Sequence, residues 1–280
     1  MHARLELLDP GSLMITDLFE HATVYKLARF LVDKRQGSNN MTHHATMKGT
    51  EQDIAIIGIS VKLPNANTTD EFWDNIRNGL DCRTALSAER KDAIDRYIRY
   101  KQFPEGSVAL VEGSYIDEID KFDSTFFRLS PKEASLMDPH QRLFLQACWE
   151  AVEDAGCVED ISGSHTGVFV GYSPNIRDMY SRLIYETNPT LLSSAMVGNT
   201  AAVTSGRVSY MLDLKGPSMV VDTACSSSLV AVDAACQSIR SGKCEMAIAG
   251  GIKIHTMPIH HTNTRMGIGM ESMDGITRAF

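Results

Sequence analysis

Apolar residues follow two spacings along the chain from residue 53 onward, one typical of strands and one typical of helices. Short β-branched runs lie in DIAIIGI, GVFVGY, SMVVDTA and EMAIAGGIKI, and runs of that length and composition predict β-strands. Longer segments with helical spacing lie between them, and QRLFLQACWEAVEDAG is the strongest of these. Strands that alternate with long helices favour an α/β fold with a largely parallel sheet.

The same spacing predicts where individual elements begin and end. It predicts a buried strand over Ile54–Ile59 and a helix end at Gly156, because glycine readily adopts the left-handed conformation that stops a helix. The other predicted elements are a helix that begins near Thr69, a short helix opened by Pro131, a strand over Val168–Val170, a helix that bears Ser205 and Arg207, a strand in SMVVDTA, a helix in SSLVAVDAACQSIRSG, and a strand in EMAIAGGIKI that ends in a Gly-Gly turn.

Composition divides the chain into three zones. Residues 1–36 contain an amphipathic segment, residues 37–52 are polar and small like a linker, and residues 53–280 carry the alternating strands and helices. In the first zone, apolar residues recur at helical spacing, and Thr23 is placed to cap a helix that begins at Val24. The residues of this zone by themselves predict a short N-terminal helix.

Charge and hydropathy exclude several classes of protein. The chain has 35 acidic and 27 basic residues, which gives a formal net charge of −8. This charge argues against a general nucleic-acid binder, which needs a basic face to replace the counterions of phosphates. No stretch reaches the roughly 20 apolar residues that a membrane span needs, and the N-terminus lacks an apolar signal core. We therefore expect a cytoplasmic protein that binds neither nucleic acid nor membrane.

The cysteines show no pattern of a disulfide scaffold. They are Cys82, Cys148, Cys157, Cys225, Cys236 and Cys244. Because no CxxC pair occurs and the residues are sparse, we expect reduced thiols. Cys148 and Cys236 lie inside predicted amphipathic helices and are expected in the core, where cysteine behaves as a small apolar residue.

The histidines offer no clear site. His255, His260 and His261 follow the last predicted strand, and their spacing from Cys244 matches no usual zinc-ligand pattern. We therefore predict that they are loop residues and that the chain holds no metal. His140 lies at the predicted start of a helix, where we expect a structural role.

The chemically informative segment is GPSMVVDTACSSSL, in which a short apolar strand leads through small residues to Cys225 and then to a helix. A side chain at such a turn points out of the layer, where substrate can reach it. The helix N-terminus carries partial positive charge and free N–H groups, which stabilise a thiolate. The backbone N–H of Cys225 can also donate to an oxyanion. The residues alone leave two interpretations open, a nucleophile and a buried packing cysteine.

The segment VDTACSSSLVAV resembles the active-site signature of β-ketoacyl synthases (ketosynthases) of the thiolase-like superfamily. Further segments that resemble this family, in the same order, are DIAIIGIS, DEFWDNIRNG, FDSTFFRLSPKEASLMDPHQRLFLQACWEAVEDAG, GVFVGYS, NTAAVTSGRVSYMLDLKGPS and AIAGGIKI. The resemblance runs from about Asp53 to Phe280 and is to the N-terminal half of a ketosynthase domain of a modular type I polyketide synthase. Upstream, TDLFEHATVYKLARFL resembles the last helix of an acyl carrier domain, so residues 1–36 are interpreted as the C-terminal tail of such a domain.

This resemblance implies the N-terminal half of a thiolase-like layered α/β fold (α-β-α-β-α). It implies that Cys225 is the catalytic nucleophile of an acyltransferase and takes an acyl chain from a carrier thioester. Decarboxylative C–C bond formation with a malonyl-type extender follows in this family. No cofactor is then expected on this chain, because partner acyl carrier domains deliver the phosphopantetheine-linked acyl groups, and the full domain is expected to be a homodimer.

The sequence also departs from the family. The two histidine motifs of ketosynthases, HGTGT-like and NxGH-like, do not occur in it. We therefore expect the isolated chain to be inactive in condensation without a C-terminal ketosynthase complement. The alternative function is a non-catalytic remnant that binds carrier domains or ketosynthase subunits. An independent Cys–His hydrolase is a third hypothesis, but the papain-like cysteine signature is absent.

Overall fold

A computed structural model of the chain describes residue 30 and residues 53–110, 113–174 and 180–261. The chain divides into two compact units, Met1–Glu51 and Gln52–Phe280. Except for Phe30, the carrier tail predicted for residues 1–36 and the linker predicted for residues 37–52 lie outside the described residues.

Strands and helices alternate along the second unit. The strands are β1 (Val108–Leu110), β2 (Thr166–Gly171), β3 (Ser218–Val221), β4 (Met246–Gly251) and β5 (Ile259–His261). The helices are α1 (Thr69–Arg77), α2 (Ala88–Tyr100), α3 (Pro131–Leu136), α4 (Pro139–Asp154), α5 (Tyr180–Thr187), α6 (Leu192–Ala195), α7 (Val203–Met211) and α8 (Ser227–Arg240). This order confirms the predicted α/β class. Strands β2, β3 and β4 lie where the sequence predicted strands in GVFVGY, SMVVDTA and EMAIAGGIKI. None of the helices in the described part of the chain is both long and apolar enough to cross a membrane.

The central sheet has the order β3-β2-β4, and β2 is parallel to both of its neighbours. Alternate residues of a strand point to opposite faces of its sheet. Val168 and Val170 pack in one cluster with Leu145 of α4, whereas Phe169 packs in another with Ala231 of α8. Helices therefore cover both faces of β2, every residue of which is buried, and this burial explains its continuous apolar sequence.

Capping residues set the ends of α1 and α4. Helix α1 begins with a capping box, in which the Glu71 N–H donates to Thr68 Oγ1 (3.2 Å) and the Thr68 N–H donates to the Glu71 carboxylate (3.2 Å). Helix α4 begins at Pro139 after the cap Asp138, and Gly156 follows its end with φ of 67°. The predicted end of this helix at Gly156 is thus confirmed.

The strand predicted over Ile54–Ile59 is wrong. This segment has no strand structure, and Ile56 and Ile57 are 80% and 53% exposed. Its backbone is held against α4 instead, because the Ile59 N–H donates to Asp154 Oδ2 (2.8 Å). A strand needs a neighbouring strand to pair with, and within the described residues none pairs with this segment.

Two details after β3 also differ from expectation. His260 and His261 are not loop residues, since they lie in β5 and pair with Ala109 and Val108 of β1 in an antiparallel ladder. The predicted Gly-Gly turn is likewise wrong, because Gly250 and Gly251 are the last residues of β4 and pair with β2. In both cases a partner strand distant in sequence imposed the extended backbone.

Candidate active site at the turn before α8

The turn between β3 and α8 places Cys225 at the surface. Strand β3 ends at Val221, a single turn of 3₁₀-helix covers Ala224–Ser226, and α8 begins at Ser227. The whole Cys225 residue is exposed. The predicted position of Cys225 at a strand-to-helix turn is confirmed, and its role as a nucleophile stays a prediction.

The backbone of this turn is strained at Ala224. Its φ is 55°, which costs a residue with a Cβ atom roughly 1–2 kcal/mol. The conformation is held by side chains on both sides, since the Ala224 N–H donates to Asp222 Oδ1 (3.1 Å) and the Ser227 hydroxyl donates to the Ala224 carbonyl (2.6 Å). Strain of this kind persists only where surrounding contacts determine the backbone.

Two glycines allow α8 to start directly above the ends of the sheet. A Cβ atom at Gly171 in β2 would lie 2.5 Å from the Ser228 backbone nitrogen, and one at Gly251 in β4 would lie 2.6 Å from Ser228 Cβ. Neither distance is compatible with a side chain. Glycine at both strand ends therefore brings the positive end of the helix dipole to the edge of the sheet beside Cys225.

The other cysteines lie in different surroundings. All six thiols are free, all six lie in described segments, and Cys225 is the only one of them that is exposed. Cys148 is buried in the core, as predicted, and this burial raises the pKa of its thiol. Cys236, also predicted in the core, is partly exposed. Cys244 is buried and lies 3.3 Å from Ser238 Oγ. Exposure to solvent therefore distinguishes Cys225 from the other five cysteines.

His140 has the structural surroundings that were expected for it. The imidazole is 1% exposed, and Nδ1 lies 2.7 Å from Asp138 Oδ1. Because Nε2 accepts a hydrogen bond from the Ile254 N–H (3.0 Å), the proton of the neutral ring is on Nδ1. The ring also contacts Tyr172, with centroids 5.0 Å apart. His140 thus links the start of α4 to the segments that follow β2 and β4.

Within residues 53–110, 113–174 and 180–261, no group of three or more His, Cys, Asp or Glu residues is arranged to hold a metal ion.

Sequence reasoning missed two features of the turn. The buried hydroxyl of Ser227 lies inside the turn, and Gly171 supports the helix start from β2. The only signal for Gly171 was a glycine at the end of a β-branched run, and nothing distinguished Ser227 from the serines on either side of it.

Comparisons with known proteins show which family the chain is similar to. The family model described as "Beta-ketoacyl synthase, N-terminal domain" matches residues 51–280. The chain is 37% identical over 289 residues to polyketide synthase PksM of Bacillus subtilis, covering 95% of this chain and 6% of that protein. It is 34% identical over 273 residues to erythronolide synthase EryA3 of Saccharopolyspora erythraea, covering 95% of this chain and 8% of that protein.

Solved structures give the same result. The ketosynthase from module 6 of the bacillaene synthase of Bacillus subtilis matches with a TM-score of 0.58 and 31% identity, covering 73% of this chain and 32% of that one. Ketosynthase twelve of the bacillaene synthase of Bacillus amyloliquefaciens matches with a TM-score of 0.57 and 36% identity, covering 72% of this chain and 35% of that one. The chain thus spans about a third of these ketosynthase chains, and its layered fold is thiolase-like. It belongs to the β-ketoacyl synthase family, as the N-terminal part of a ketosynthase domain of a type I polyketide synthase.

Proposed function

We propose that this chain supplies the acyl-accepting part of a polyketide ketosynthase, with Cys225 as the nucleophile. The observation that carries the proposal is the exposed Cys225 residue on a strained turn at the start of α8. The Cys225 thiolate attacks the carbonyl carbon of a carrier-bound acyl thioester. The bond from that carbon to the phosphopantetheine sulfur breaks, and the carrier leaves as a thiolate that takes up a proton.

The backbone N–H groups at the turn contribute to this step. Negative charge develops on the carbonyl oxygen as the tetrahedral intermediate forms, and hydrogen-bond donors fixed in advance stabilise it. The N–H of Cys225 is the donor that the turn offers, and it lies beside the N-terminus of α8, whose dipole adds to the stabilisation of negative charge on that oxygen. No cofactor bound to this chain enters the step, since the phosphopantetheine belongs to the partner carrier domains.

The second step requires residues outside this sequence. Decarboxylation of a malonyl-type extender on a second carrier gives an enolate, which attacks the acyl carbon on Cys225 and releases the thiol with formation of a C–C bond. The histidine motifs that serve this step in ketosynthases do not occur among the 280 residues. Condensation therefore requires the C-terminal part of the ketosynthase domain, in the same polypeptide or in another.

Exposed apolar residues support a complementary C-terminal part as a partner. Ile57 and Ile59, which were expected in a buried strand, are 53% and 50% exposed, and Trp73 and Ile76 of α1 are 62% and 53% exposed. Apolar surface of this kind is usually covered by a partner in a functional protein. A homodimer of the full domain is the second proposed contact, and the exposed Met219 on the edge strand β3 supports it. The cytoplasmic location stays a prediction.

An acylation assay tests the first step. The full chain is incubated with an acyl-pantetheine thioester, and the acylated peptide is identified by mass spectrometry. We expect the acyl group on Cys225 and none after Cys225→Ala, whereas Cys236→Ala serves as the matched control and keeps the wild-type extent of acylation. Equal acylation in the wild type and the Cys225→Ala variant contradicts the proposal.

A complementation assay tests the second step. The chain is mixed with a separately produced C-terminal ketosynthase part, an acyl carrier and a malonyl carrier. We expect β-ketoacyl product from the mixture and none from the chain alone. Acylation of Cys225 without product in the full mixture favours the alternative of a carrier-binding remnant.

A further inference from the structure

Ser227, the first residue of α8, has a buried hydroxyl inside the turn that carries Cys225. The residue is 4% exposed. Its Oγ donates to the Ala224 carbonyl oxygen at 2.6 Å and accepts from the Thr223 N–H at 2.9 Å. A single hydroxyl thus bridges the end of the strand and the peptide group that leads into the cysteine.

The bridge spans the strained residue of the turn. Ala224 has φ of 55°, a conformation that residues with a Cβ atom rarely adopt without support. Without the hydroxyl, the Thr223 N–H loses its acceptor and the Ala224 carbonyl keeps only the backbone N–H of Ser227 as a donor. The Ser227 side chain therefore supports the left-handed conformation at Ala224 on its carbonyl side, as the Asp222 carboxylate does on its N–H side.

The orientation of the Cys225 N–H follows from the same bond. The Ala224 carbonyl and the Cys225 N–H belong to one planar peptide group. A hydrogen bond that fixes the direction of the carbonyl therefore fixes the direction of the N–H on the opposite side of the plane. A bonded carbonyl also polarises its peptide group, which strengthens the N–H as a donor.

The neighbouring serines make different contacts. The hydroxyl of Ser226 donates to the Thr223 carbonyl oxygen (2.8 Å) and lies near Thr223 Oγ1 (2.9 Å), and no hydrogen bond joins its side chain to the Ala224 carbonyl, whose peptide group carries the Cys225 N–H. Ser228 is exposed and lies against Gly251 of β4. Of the three serines, Ser227 alone is buried and donates its hydroxyl to the Ala224 carbonyl.

We propose that Ser227 is a positioning residue, whose hydroxyl sets the direction of the Cys225 thiol and of the Cys225 N–H by bridging Thr223 and Ala224. It does not touch the acyl group and acts through the backbone of the turn. The inference deepens the proposed function, since it names the residue that presents the nucleophile.

Alkylation of Cys225 tests the proposal without any acyl substrate. The full chain and the variants Ser227→Ala, Ser227→Thr and Ser228→Ala are treated with iodoacetamide from about pH 6 to pH 10, a range that spans thiol ionisation. Mass spectrometry of the Cys225 peptide gives the rate at each pH, and thermal unfolding reports stability. Asp222, whose carboxylate accepts the Ala224 N–H, is kept in every variant, so its charge does not differ among them.

We expect Ser227→Ala to alkylate Cys225 roughly three- to tenfold more slowly, because the turn no longer holds the thiol in one direction. Ser227→Thr keeps the hydroxyl and should restore the wild-type profile. Ser228→Ala should match the wild type throughout.

Three results overturn the proposal: a wild-type profile in Ser227→Ala, an equal change in Ser228→Ala, or no recovery in Ser227→Thr. If Ser227→Ala does not fold, Ala224→Gly is compared with the double variant Ala224→Gly/Ser227→Ala. Glycine adopts the positive φ without strain but does not fix the direction of the peptide group, so the double variant should still alkylate more slowly than Ala224→Gly, and equal rates overturn the proposal. A changed alkylation profile in a chain that accepts no acyl group would refute the proposed function and leave the role of Ser227 intact.

Discussion

Substitution of Gly171 by alanine is the sharpest test of how the sheet supports the start of α8. Gly171 ends β2, and its φ is not in the left-handed region, so alanine fits the backbone conformation itself. The added methyl group, however, points at the helix start. It would lie 2.5 Å from the Ser228 nitrogen and 2.6 Å from the Ser227 carbonyl carbon.

The size of the effect follows from these distances. Ordinary contact begins at 3.4 Å, so α8 and β2 must separate by about 0.9 Å at this point. The opposing atoms are backbone and cannot rotate away, which places the cost at about 2–3 kcal/mol, the upper part of the range for overpacked sites. The same displacement stretches the 2.6 Å bond from Ser227 to Ala224, so alkylation of Cys225 should slow as well.

Urea unfolding of the full chain, followed by circular dichroism, measures the loss of stability. Gly206→Ala is the matched control, because Gly206 lies within α7 and a Cβ atom there meets nothing within 4 Å. Alanine at this helical position should increase the free energy of unfolding by about 0.5–1 kcal/mol. A Gly171→Ala variant that is as stable as the wild type, beside a Gly206→Ala variant that behaves as expected, would refute the close-packing argument.

Two further predictions concern buried polar contacts. His140→Ala should lower the free energy of unfolding by about 2–4 kcal/mol, since it leaves the Ile254 N–H without its acceptor and opens a cavity. His140→Gln can accept the same hydrogen bond and should therefore lower the free energy of unfolding in urea by less than His140→Ala does. Equal losses of stability in the two variants would contradict the role of His140 as an acceptor. The hydrogen bond from the Tyr97 hydroxyl, with help from Arg182, holds the pKa of Glu186 below its usual range. The pair therefore stabilises the fold at pH values above the ordinary glutamate pKa. This stabilisation is lost as the pH falls through the lowered pKa of Glu186. Tyr97→Phe should therefore reduce the melting temperature most near neutral pH and progressively less below about pH 4; a constant difference across this range would argue against the coupling.

Sequence alone predicted those helices and strands whose caps, apolar spacing and terminating residues all lie within one short segment. Helix α4 has its cap at Asp138, a helical spacing of apolar residues, and Gly156 after its end. Strand β2 is a β-branched run buried on both faces. Helix α2 was missed although Ser87 caps it, because Ile94 is its only fully buried residue and gives little apolar periodicity.

The sequence by itself determined the alternation of strands and helices and the place of Cys225 at a strand-to-helix turn, because spacing, caps and glycines are local signals. Tertiary structure alone decided that Ile54–Ile59 forms no strand and that His260 lies in one, since a strand exists only beside a partner that the local sequence does not contain. It also decided which of three adjacent serines holds the turn. The hydroxyl of Ser227 acquires its role only after β2 and β4 meet the start of α8 and bury it.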